Sequence, residues 1–377
     1  MAAPTMTEER TIVAPEETVD TPAMVVDEAI LQRNIAEMQA FAAGVGVALR
    51  PHAKTHKTPR IARLQLAAGA VGLTCAKLGE AEVFVDEAGV ADVLLAYPLV
   101  GEPKLRRLLA LMERAHVTVA VDTVAAASRL SEAMTANGRV LDLYVEVNTG
   151  QDRAGARHGV EAVALARELA QMPGVRPVGV MTHEGHAGAS SPEAIAETAH
   201  AAGRALVATA EAIRAEGIPI RTVSVGSTPS SPYTPTIPGV TEMRPGTYVF
   251  NDNTGFRHGR IGPDRCAARV VATVVSRPAP DRAIVDAGSK ALAYDPSPSH
   301  AGHGYVVGHP AATIARISEE HGVVVLPEGE AGFAVGDRVE IIPNHVCPAV
   351  NLTDELLVVR DGRVVETWRV AARGKVR

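Results

Sequence analysis

The sequence contains few cysteines, few aromatic residues and no long apolar run, and each shortage excludes a class of protein. Its three cysteines, Cys75, Cys266 and Cys347, are too few and too far apart for a disulfide scaffold. Aromatic residues make up 3 % of the chain and the formal net charge is −6, which argues against a nucleic-acid-binding surface. No apolar run approaches the roughly 20 residues that a membrane-spanning helix needs.

The opening residues also lack the features of a secretory signal. The stretch MAAPTMTEERTIVAPEE is acidic and has no apolar segment. Together with the scarcity of cysteine, this predicts a cytoplasmic protein. Apolar residues make up 46 % of the 377 residues and charged residues 21 %, the balance of an ordinary globular chain. This length suits two domains, or one barrel with a smaller domain.

Short apolar, β-branched segments alternate with Ala- and Leu-rich helical patterns through the first two thirds of the chain. Eight such strand candidates cover residues 45–55, 72–77, 92–98, 116–122, 141–148, 175–183, 222–227 and 242–252. Strict alternation of this kind is typical of a parallel sheet covered by helices. No G-x-G-x-x-G follows the first strand, so a dinucleotide-binding sheet loses its best support. The sequence therefore predicts a (β/α)8 barrel over residues 24–264.

The pattern changes after about residue 265. Segments such as RVVATVVSRP, GVVVLPEG and DRVEIIPN are strands separated by turn residues, with no convincing helix between them. We therefore predict a C-terminal antiparallel β domain over residues 265–377. Residues 1–23, with the run TIVA and then Thr21-Pro22, are predicted to add an edge strand to this domain.

Reactive groups of a (β/α)8 barrel lie at the C-terminal ends of its strands, and Lys54 stands at the end of the first one. It lies between His52 and His56 in the segment RPHAKTHK. A lysine in a partly desolvated barrel mouth, close to other cationic groups, can act as an amine nucleophile toward an aldehyde. A solvated loop lysine is the alternative, and the flanking basic cluster favours the functional interpretation.

The seventh strand candidate ends in Gly226-Ser227-Thr228. Small and hydroxyl residues with free backbone N–H groups at this point can bind a phosphate, as barrels often do after strands seven and eight. A tight turn explains the same residues equally well. Combined with Lys54, however, a phosphate site suggests pyridoxal 5′-phosphate, an aldehyde that carries a phosphate.

His345-Val346-Cys347 provides an imidazole and a thiol two residues apart, on one face if the stretch is extended. Both groups are ligands for a borderline-soft ion such as zinc. Two ligands cannot close a metal site, so water or substrate would have to complete it. The alternative is a buried cysteine beside a hydrogen-bonded histidine.

These segments together resemble the fold-type III pyridoxal-phosphate enzymes of the D-threonine aldolase and D-serine dehydratase family. The resemblance extends along nearly the whole chain and depends on RPHAKTHK, GLTCAKLGEAE, VEVNTGQDRAG, VSVGSTP, EMRPGTYVF, IVDAGSKAL, SEEHG and PNHVCPAVNL. It implies an alanine-racemase-like barrel, a β domain and a homodimer whose active sites are shared between the subunits. It also implies a small β-hydroxy-D-amino acid as substrate, with no nucleic acid and no membrane as partner.

The resemblance assigns roles to individual residues of this chain. Lys54 would be bonded covalently to the cofactor, with Arg153 and His183 beside it. The phosphate would be held by Gly226, Ser227, Thr228 and Tyr248. His345 and Cys347 would bind a divalent ion, zinc or manganese, that contacts the substrate β-hydroxyl.

Two reactions are compatible with such a site. In a retro-aldol cleavage a base removes the β-hydroxyl proton, and the sequence THEGH offers His186 or Glu184, beside His183. In a dehydration, Lys54 removes the Cα proton instead. Cys347 and the segment GSTP look dehydratase-like, whereas residues 276–288 and 351–374 look closer to the aldolases, and we favour aldol cleavage. An amino-acid racemase and a non-catalytic pyridoxal-phosphate carrier are further alternatives.

Overall fold

The computed structural model describes residues 10–15, 17–189, 191–257, 259–295, 301–328 and 332–377. Its contacts divide the chain into two units. The β unit contains the described residues up to Ala36, together with Thr55–Thr58 and Thr247–Arg373, and the barrel unit contains Glu37–Lys54, Pro59–Gly246 and Gly374–Arg377. The division differs from the predicted boundaries at 24 and 264, and the chain also enters the β unit after Lys54 and leaves it after Thr58.

The strands and helices are numbered in chain order. The strands are β1 (Ala23–Asp27), β2 (Ala48–Leu49), β3 (Leu73–Cys75), β4 (Asp92–Leu95), β5 (His116–Val121), β6 (Leu141–Asn148), β7 (Ala156–Arg157), β8 (Val175–Met181), β9 (Thr222–Val225), β10 (Glu242–Met243), β11 (Ala268–Ala279), β12 (Arg282–Val285), β13 (Tyr305–Val306), β14 (Thr313–Ile317), β15 (Gly322–Val325), β16 (Arg338–Ile342), β17 (Glu355–Arg360) and β18 (Arg363–Arg369).

The helices are α1 (Glu28–Gly44), α2 (Pro59–Ala67), α3 (Leu78–Ala88), α4 (Glu102–Leu111), α5 (Val124–Ala136), α6 (Val160–Gln171), α7 (Pro192–Ala215), α8 (Asn253–Arg257), α9 (Ser289–Leu292) and α10 (Val346–Leu352). Within the described residues, none of them combines the length and the apolarity that a bilayer crossing requires.

Eight parallel strands of the barrel unit form one sheet in the order β2-β10-β9-β8-β6-β5-β4-β3. A parallel bridge between His52 and Thr74 joins the two ends of this order and closes the ring. One helix lies between each pair of consecutive barrel strands, except that a 3-10 turn at Thr234–Thr236 connects β9 to β10. The predicted (β/α)8 barrel is confirmed, including its count of eight strands.

Two barrel strands are much shorter than the sequence predicts. The strand predicted over residues 45–55 is limited to Ala48–Leu49, and the one predicted over residues 242–252 is limited to Glu242–Met243. Each is soon followed by a proline, Pro51 or Pro245, which has no N–H to donate to the sheet. The chain instead turns, and it places the residues that follow at the C-terminal mouth of the barrel.

Nine strands of the β unit form a second sheet, whose main path is β14-β15-β12-β11-β1-β17-β18, with β16 pairing β11 and β13. All of these pairs are antiparallel except β1 with β17, which is parallel. The fold class, a barrel followed by an antiparallel β domain, is therefore confirmed. Strand β1 belongs to this sheet, although the sequence boundaries place Met24–Val26 in the barrel.

The predicted edge strand before Met24 does not form among the described residues of that segment, and residues 1–9 and 16 lie outside them. The backbone N–H groups of Ile12 and Val13 donate to the carboxylate of Glu340 instead of to a neighbouring strand. Both side chains pack into an apolar cluster with Val25, Val271 and Val359. A buried carboxylate thus takes the place of the expected sheet partner.

The prediction that residues 265–377 contain no helix is wrong: α8 lies before them in the β unit, but α9 and α10 lie within them. These helices have only 5, 4 and 7 residues, too short to show a helical period. One carboxylate, that of Asp252, accepts the backbone N–H of Gly255 in α8 and of Val346 in α10. It therefore stabilises the N-termini of both helices.

Candidate functional site

A cavity of about 670 Å³ opens at the C-terminal mouth of the barrel. It brings together four of the residues predicted to form the cofactor site, Lys54, Arg153, His183 and Gly226. The remaining lining residues are His52, Ala76, Lys77, Ala96, Tyr97, Pro98, Val100, Lys104, Glu146, Ala154, Met181 and Arg244. Most of them follow the end of a barrel strand, because the turns after the strands all emerge on this side of the sheet.

The cavity is strongly cationic. Among the described residues that line it, five are lysines or arginines and Glu146 is the one carboxylate. Burial raises the pKa of Glu146, and the cations Arg153 and Arg244 oppose this effect. A cavity with this charge, this volume and a lysine on its wall fits a small molecule that carries phosphate, carboxylate and aldehyde groups.

His183 is held in one orientation at the cavity wall. Its Nδ1 lies 2.6 Å from the carbonyl oxygen of Gly226. A carbonyl can only accept, so Nδ1 carries the hydrogen and Nε2 has the lone pair. Burial, helped by the positive charges of Lys54, Arg153 and Arg244, lowers the pKa of His183 to about 3. The ring is therefore neutral at physiological pH.

This neutrality gives a spectroscopic prediction. At about pH 5, ¹⁵N NMR of histidine-labelled protein should show His183 as the neutral Nδ1–H tautomer. His116 is the control within the chain, because hydrogen bonds to Asp142 and Asp92 raise its pKa to about 9. Its two ring nitrogens should both be protonated at the same pH. A protonated His183 at about pH 5 would contradict the geometry.

The same pKa shift predicts how acid affects stability. The folded-state pKa of His183, about 3, lies below its ordinary value of 6.5, so the unfolded chain binds this proton more readily between the two values. The free energy of unfolding should therefore fall as the pH decreases from 6.5 toward 3. Urea unfolding of the wild type and of His183→Asn should show a shallower pH slope for the variant, and parallel slopes would contradict the prediction.

Arg244 and His52 line the cavity, and neither was among the predicted site residues. The buried guanidinium of Arg244 donates to the hydroxyl of Ser224 and to the carbonyl oxygen of Thr182. Burial, with Lys54 and His183 close by, lowers the pKa of His52 well below its ordinary value. Both residues stand just after a barrel strand, which is the signal that could have identified them.

The turn predicted to bind phosphate is hydrogen-bonded to Glu184. Its carboxylate is fully buried and accepts the N–H of Gly226 at 3.2 Å and the hydroxyl of Ser230 at 2.7 Å. The Ser230 hydroxyl is also 2.6 Å from that of Ser227. The expectation that the Gly226 N–H is free for a phosphate is therefore wrong, since a buried carboxylate accepts it.

Four other predicted site residues are not among the described residues that line this cavity. Ser227 and Thr228 follow Gly226 but are not among the described residues that line the cavity. His186 lies in the 3-10 turn Gly185–Ala189, and its Nδ1 is buried with no hydrogen-bond partner among the described residues. Tyr248 is buried in the turn Thr247–Val249 of the β unit. Their functional roles stay predictions.

The predicted metal ligands His345 and Cys347 lie in the β unit at the start of α10. The stretch is not extended throughout: His345 has an extended backbone and precedes the helix, whereas Cys347 lies in its first turn. The two side chains are nevertheless close, because Cys347 is among the groups that raise the pKa of His345. Thr55, in the same unit, places its hydroxyl 3.2 Å from the Cys347 sulfur.

An imidazole and a thiol in contact are a donor pair that suits zinc. Burial would lower the pKa of His345, but Cys347, Asp252 and Asp295 raise it to about 9. An ion would therefore bind this pair in competition with protons. Within the described residues, no group of three or more His, Cys, Asp and Glu side chains could hold a metal, so further ligands would have to be water or substrate.

Comparison with known proteins identifies two family models along the chain. Residues 26–254 match the alanine racemase N-terminal domain, and residues 267–359 match the serine dehydratase domain. The two matches meet close to the change from barrel to β unit. An alanine racemase from Clostridium difficile, with 13 % identity and a TM-score of 0.68, shares the fold.

Relatives with known names extend over nearly the whole chain. D-threonine aldolase from Arthrobacter sp. is 38 % identical over 359 residues, covering 94 % of this chain and 93 % of the relative. D-threo-3-hydroxyaspartate dehydratase from Delftia sp. is 36 % identical, covering 93 % and 97 %. The crystal structure of D-threonine aldolase from Filomicrobium marinum superposes with a TM-score of 0.89 at 38 % identity, covering 95 % and 97 %. The chain therefore belongs to the D-threonine aldolase and D-serine dehydratase family of lyases, which has an alanine-racemase-like barrel.

Proposed function

We propose that this protein is a pyridoxal-phosphate- and metal-dependent lyase that cleaves β-hydroxy-D-amino acids into glycine and an aldehyde. The observation that carries the proposal is the cationic cavity with Lys54 on its wall, in a chain 38 % identical to a D-threonine aldolase. When bound, the cofactor supplies an electron sink that stabilises negative charge at the substrate Cα.

The barrel residues have defined tasks in this proposal. Lys54 would hold the cofactor covalently through its Nζ. Arg153 and Arg244 provide positive charge for the anionic groups of cofactor and substrate. His183 stays neutral and offers its Nε2 lone pair, because its Nδ1–H is bonded to Gly226.

His345 and Cys347 would hold the divalent ion, whose role is to lower the pKa of the substrate β-hydroxyl. Support for a metal comes from the donor pair itself. It also comes from a related structure, 35 % identical, that is described as a metal-free form of a D-threo-3-hydroxyaspartate dehydratase variant. The sulfur ligand favours zinc over manganese. His186 stays a candidate for the base that accepts the β-hydroxyl proton.

Two further parts of the proposal concern the oligomeric state and the cellular location of the protein. The family resemblance supports a homodimer with shared active sites. The three cysteines are free thiols, which supports a reducing cytoplasm.

Dehydration to a 2-oxo acid and ammonia is the second candidate function. The observation in its favour is Cys347 beside His345, a pairing typical of the dehydratases that the chain resembles. A relative from Delftia sp. named a dehydratase is 36 % identical, close to the value for the aldolase.

One assay separates the two reactions. D-threonine, D-serine and 3-hydroxy-D-aspartate are each supplied with cofactor and zinc or manganese, and all four products are measured. Glycine with aldehyde in equal amounts supports the proposal, whereas 2-oxo acid with ammonia supports dehydration. Conversion of D-alanine to L-alanine in the presence of chelator would instead identify a racemase, and cofactor binding without turnover would identify a carrier.

Removal of the metal should affect catalytic activity but not the visible absorbance of the bound cofactor. Treatment with a chelator should abolish turnover while the visible absorbance of the bound cofactor persists, because Lys54 and the His345–Cys347 pair are different groups. The measurement is the absorbance spectrum and the rate before and after dialysis, with zinc added back as control. Full turnover without metal would contradict the assignment of the ion.

A further inference from the structure

We propose that Asp295 is a positioning residue that fixes His345 for ion binding, an inference that depends on the proposed function. The Oδ2 atom of Asp295 lies 2.7 Å from Nδ1 of His345. Both side chains are about half exposed, so this contact is not forced by general burial. The contact between Asp295 and His345 therefore needs a specific explanation.

The contact determines which ring nitrogen is presented to an ion. An ionised carboxylate only accepts hydrogen bonds, so the Nδ1 atom of His345 must carry a hydrogen toward Asp295. Nε2 is then the nitrogen that is left to bind an ion. Carboxylates hold metal-binding histidines in this way in many proteins, fixing the ring and increasing its basicity.

Asp295 is itself held by a buried amide. Asn344, the residue before His345, is 3 % exposed and donates its Nδ2 to the carbonyl oxygens of Asp295 at 3.2 Å and of Gly302 at 2.9 Å. Its Oδ1 accepts the Nδ2 of Asn253 at 2.8 Å. Asn344 therefore fixes the backbone of Asp295, and Asp295 in turn orients His345, the next residue after Asn344.

The backbone before Asp295 adopts a strained conformation. Ala293, at the end of α9, has φ 62° and ψ 173°, a region that is populated almost only by glycine. A non-glycine residue there costs on the order of 1–3 kcal/mol, and it persists only where the surroundings impose it. The Asn344 and His345 contacts of Asp295, two residues later, are such a constraint.

The second carboxylate near His345 cannot take the same role. Asp252 is buried, and its two oxygens accept the backbone N–H groups of Gly255 and Val346, each at 3.3 Å. It stabilises two helix ends, whereas Asp295 bonds the imidazole directly. A substitution of Asp295 therefore leaves the Asp252 hydrogen bond at the start of α10 in place.

The experiment measures zinc affinity of the intact, cofactor-loaded protein by competition with a chromophoric chelator. The variants are Asp295→Ala, Asp295→Asn and His345→Ala, with Asp281→Asn as the matched control on an exposed turn of the same unit. Asp295→Ala should weaken zinc binding by roughly 10- to 100-fold and Asp295→Asn by less, since an amide still accepts a hydrogen bond. Asp281→Asn should bind as the wild type does, and all four should keep the cofactor absorbance.

The outcomes distinguish this inference from the proposed function. Unchanged zinc affinity in both Asp295 variants, with loss in His345→Ala, would overturn the positioning role and leave the lyase proposal intact. Wild-type protein that binds zinc no better than His345→Ala would overturn the metal assignment and the inference with it. If Asp295→Ala fails to fold, Asp295→Asn decides: weakened binding supports the role and wild-type affinity rejects it.

Discussion

Replacing Lys54 by alanine should remove both the visible absorbance of the protein and its catalytic activity. Lys54 is the lysine that follows β2, on the wall of the cationic cavity. In our account it provides the covalent attachment for the cofactor and the amine that exchanges with substrate. Loss of such a group typically costs roughly three or more orders of magnitude in rate.

The control for this variant is Lys290→Ala. Lys290 is an exposed lysine of the β unit that pairs with Glu319 and Glu320, so its removal changes the net charge in the same way without touching the cavity. It should keep wild-type colour and turnover. A Lys54→Ala protein with both properties intact would end the lyase account.

Replacing Glu340 by leucine should destabilise the β unit more than any surface change. Its side chain is 4 % exposed and that of its partner Arg269 is 3 % exposed, at a distance of 2.8 Å. The same carboxylate accepts the N–H groups of Ile12 and Val13, each at 2.8 Å. Removal leaves a buried cation and two buried donors without this acceptor, which costs about 3–5 kcal/mol.

The matched control is the exposed pair Arg129 and Glu132, whose side chains are 69 % and 65 % exposed. Glu132→Ala should change the free energy of unfolding by less than about 1 kcal/mol. The double variant Arg269→Met with Glu340→Leu should recover part of the loss, because it removes the unpaired cation but not the unpaired N–H groups. Urea unfolding of the four proteins tests this, and equal effects of Glu340→Leu and Glu132→Ala would contradict it.

The barrel could be predicted from sequence because its signal is repeated. Each strand candidate is apolar and is bounded by turn residues, so the count of eight did not depend on any single boundary. The ends of individual strands were predicted poorly. Pro51 and Pro245 each lack an N–H to donate to the sheet, at points where the apolar pattern looks continuous. The sequence also did not predict which sheet β1 joins, because its pairing partners β11 and β17 are distant in sequence.

The short helices of the β unit illustrate a different limit. The segment VCPAVNL of α10 has too few residues to show a helical period, and its β-branched valines favour a strand. Its helical conformation depends on the buried Asp252, which accepts the N–H of Val346 from a distant part of the chain. Tertiary contacts of this kind cannot be read from the segment itself.

The candidate site was predicted in part. Lys54, Arg153, His183 and Gly226 were selected from strand ends and family motifs, and they line one cavity. Arg244 was not selected, because a charged residue at a strand end looks the same whether it faces a ligand or an internal partner. Asp295 had no sequence signal, since its relation to His345 depends on a turn fifty residues away.

The most direct test of the central claim is to identify the lysine that is bonded to the cofactor. The cofactor-loaded protein is reduced with borohydride and digested, and mass spectrometry locates the added pyridoxyl group. Our account predicts a single modified peptide, with the label on Lys54. A label on another lysine, or none at all after cofactor loading, would contradict it.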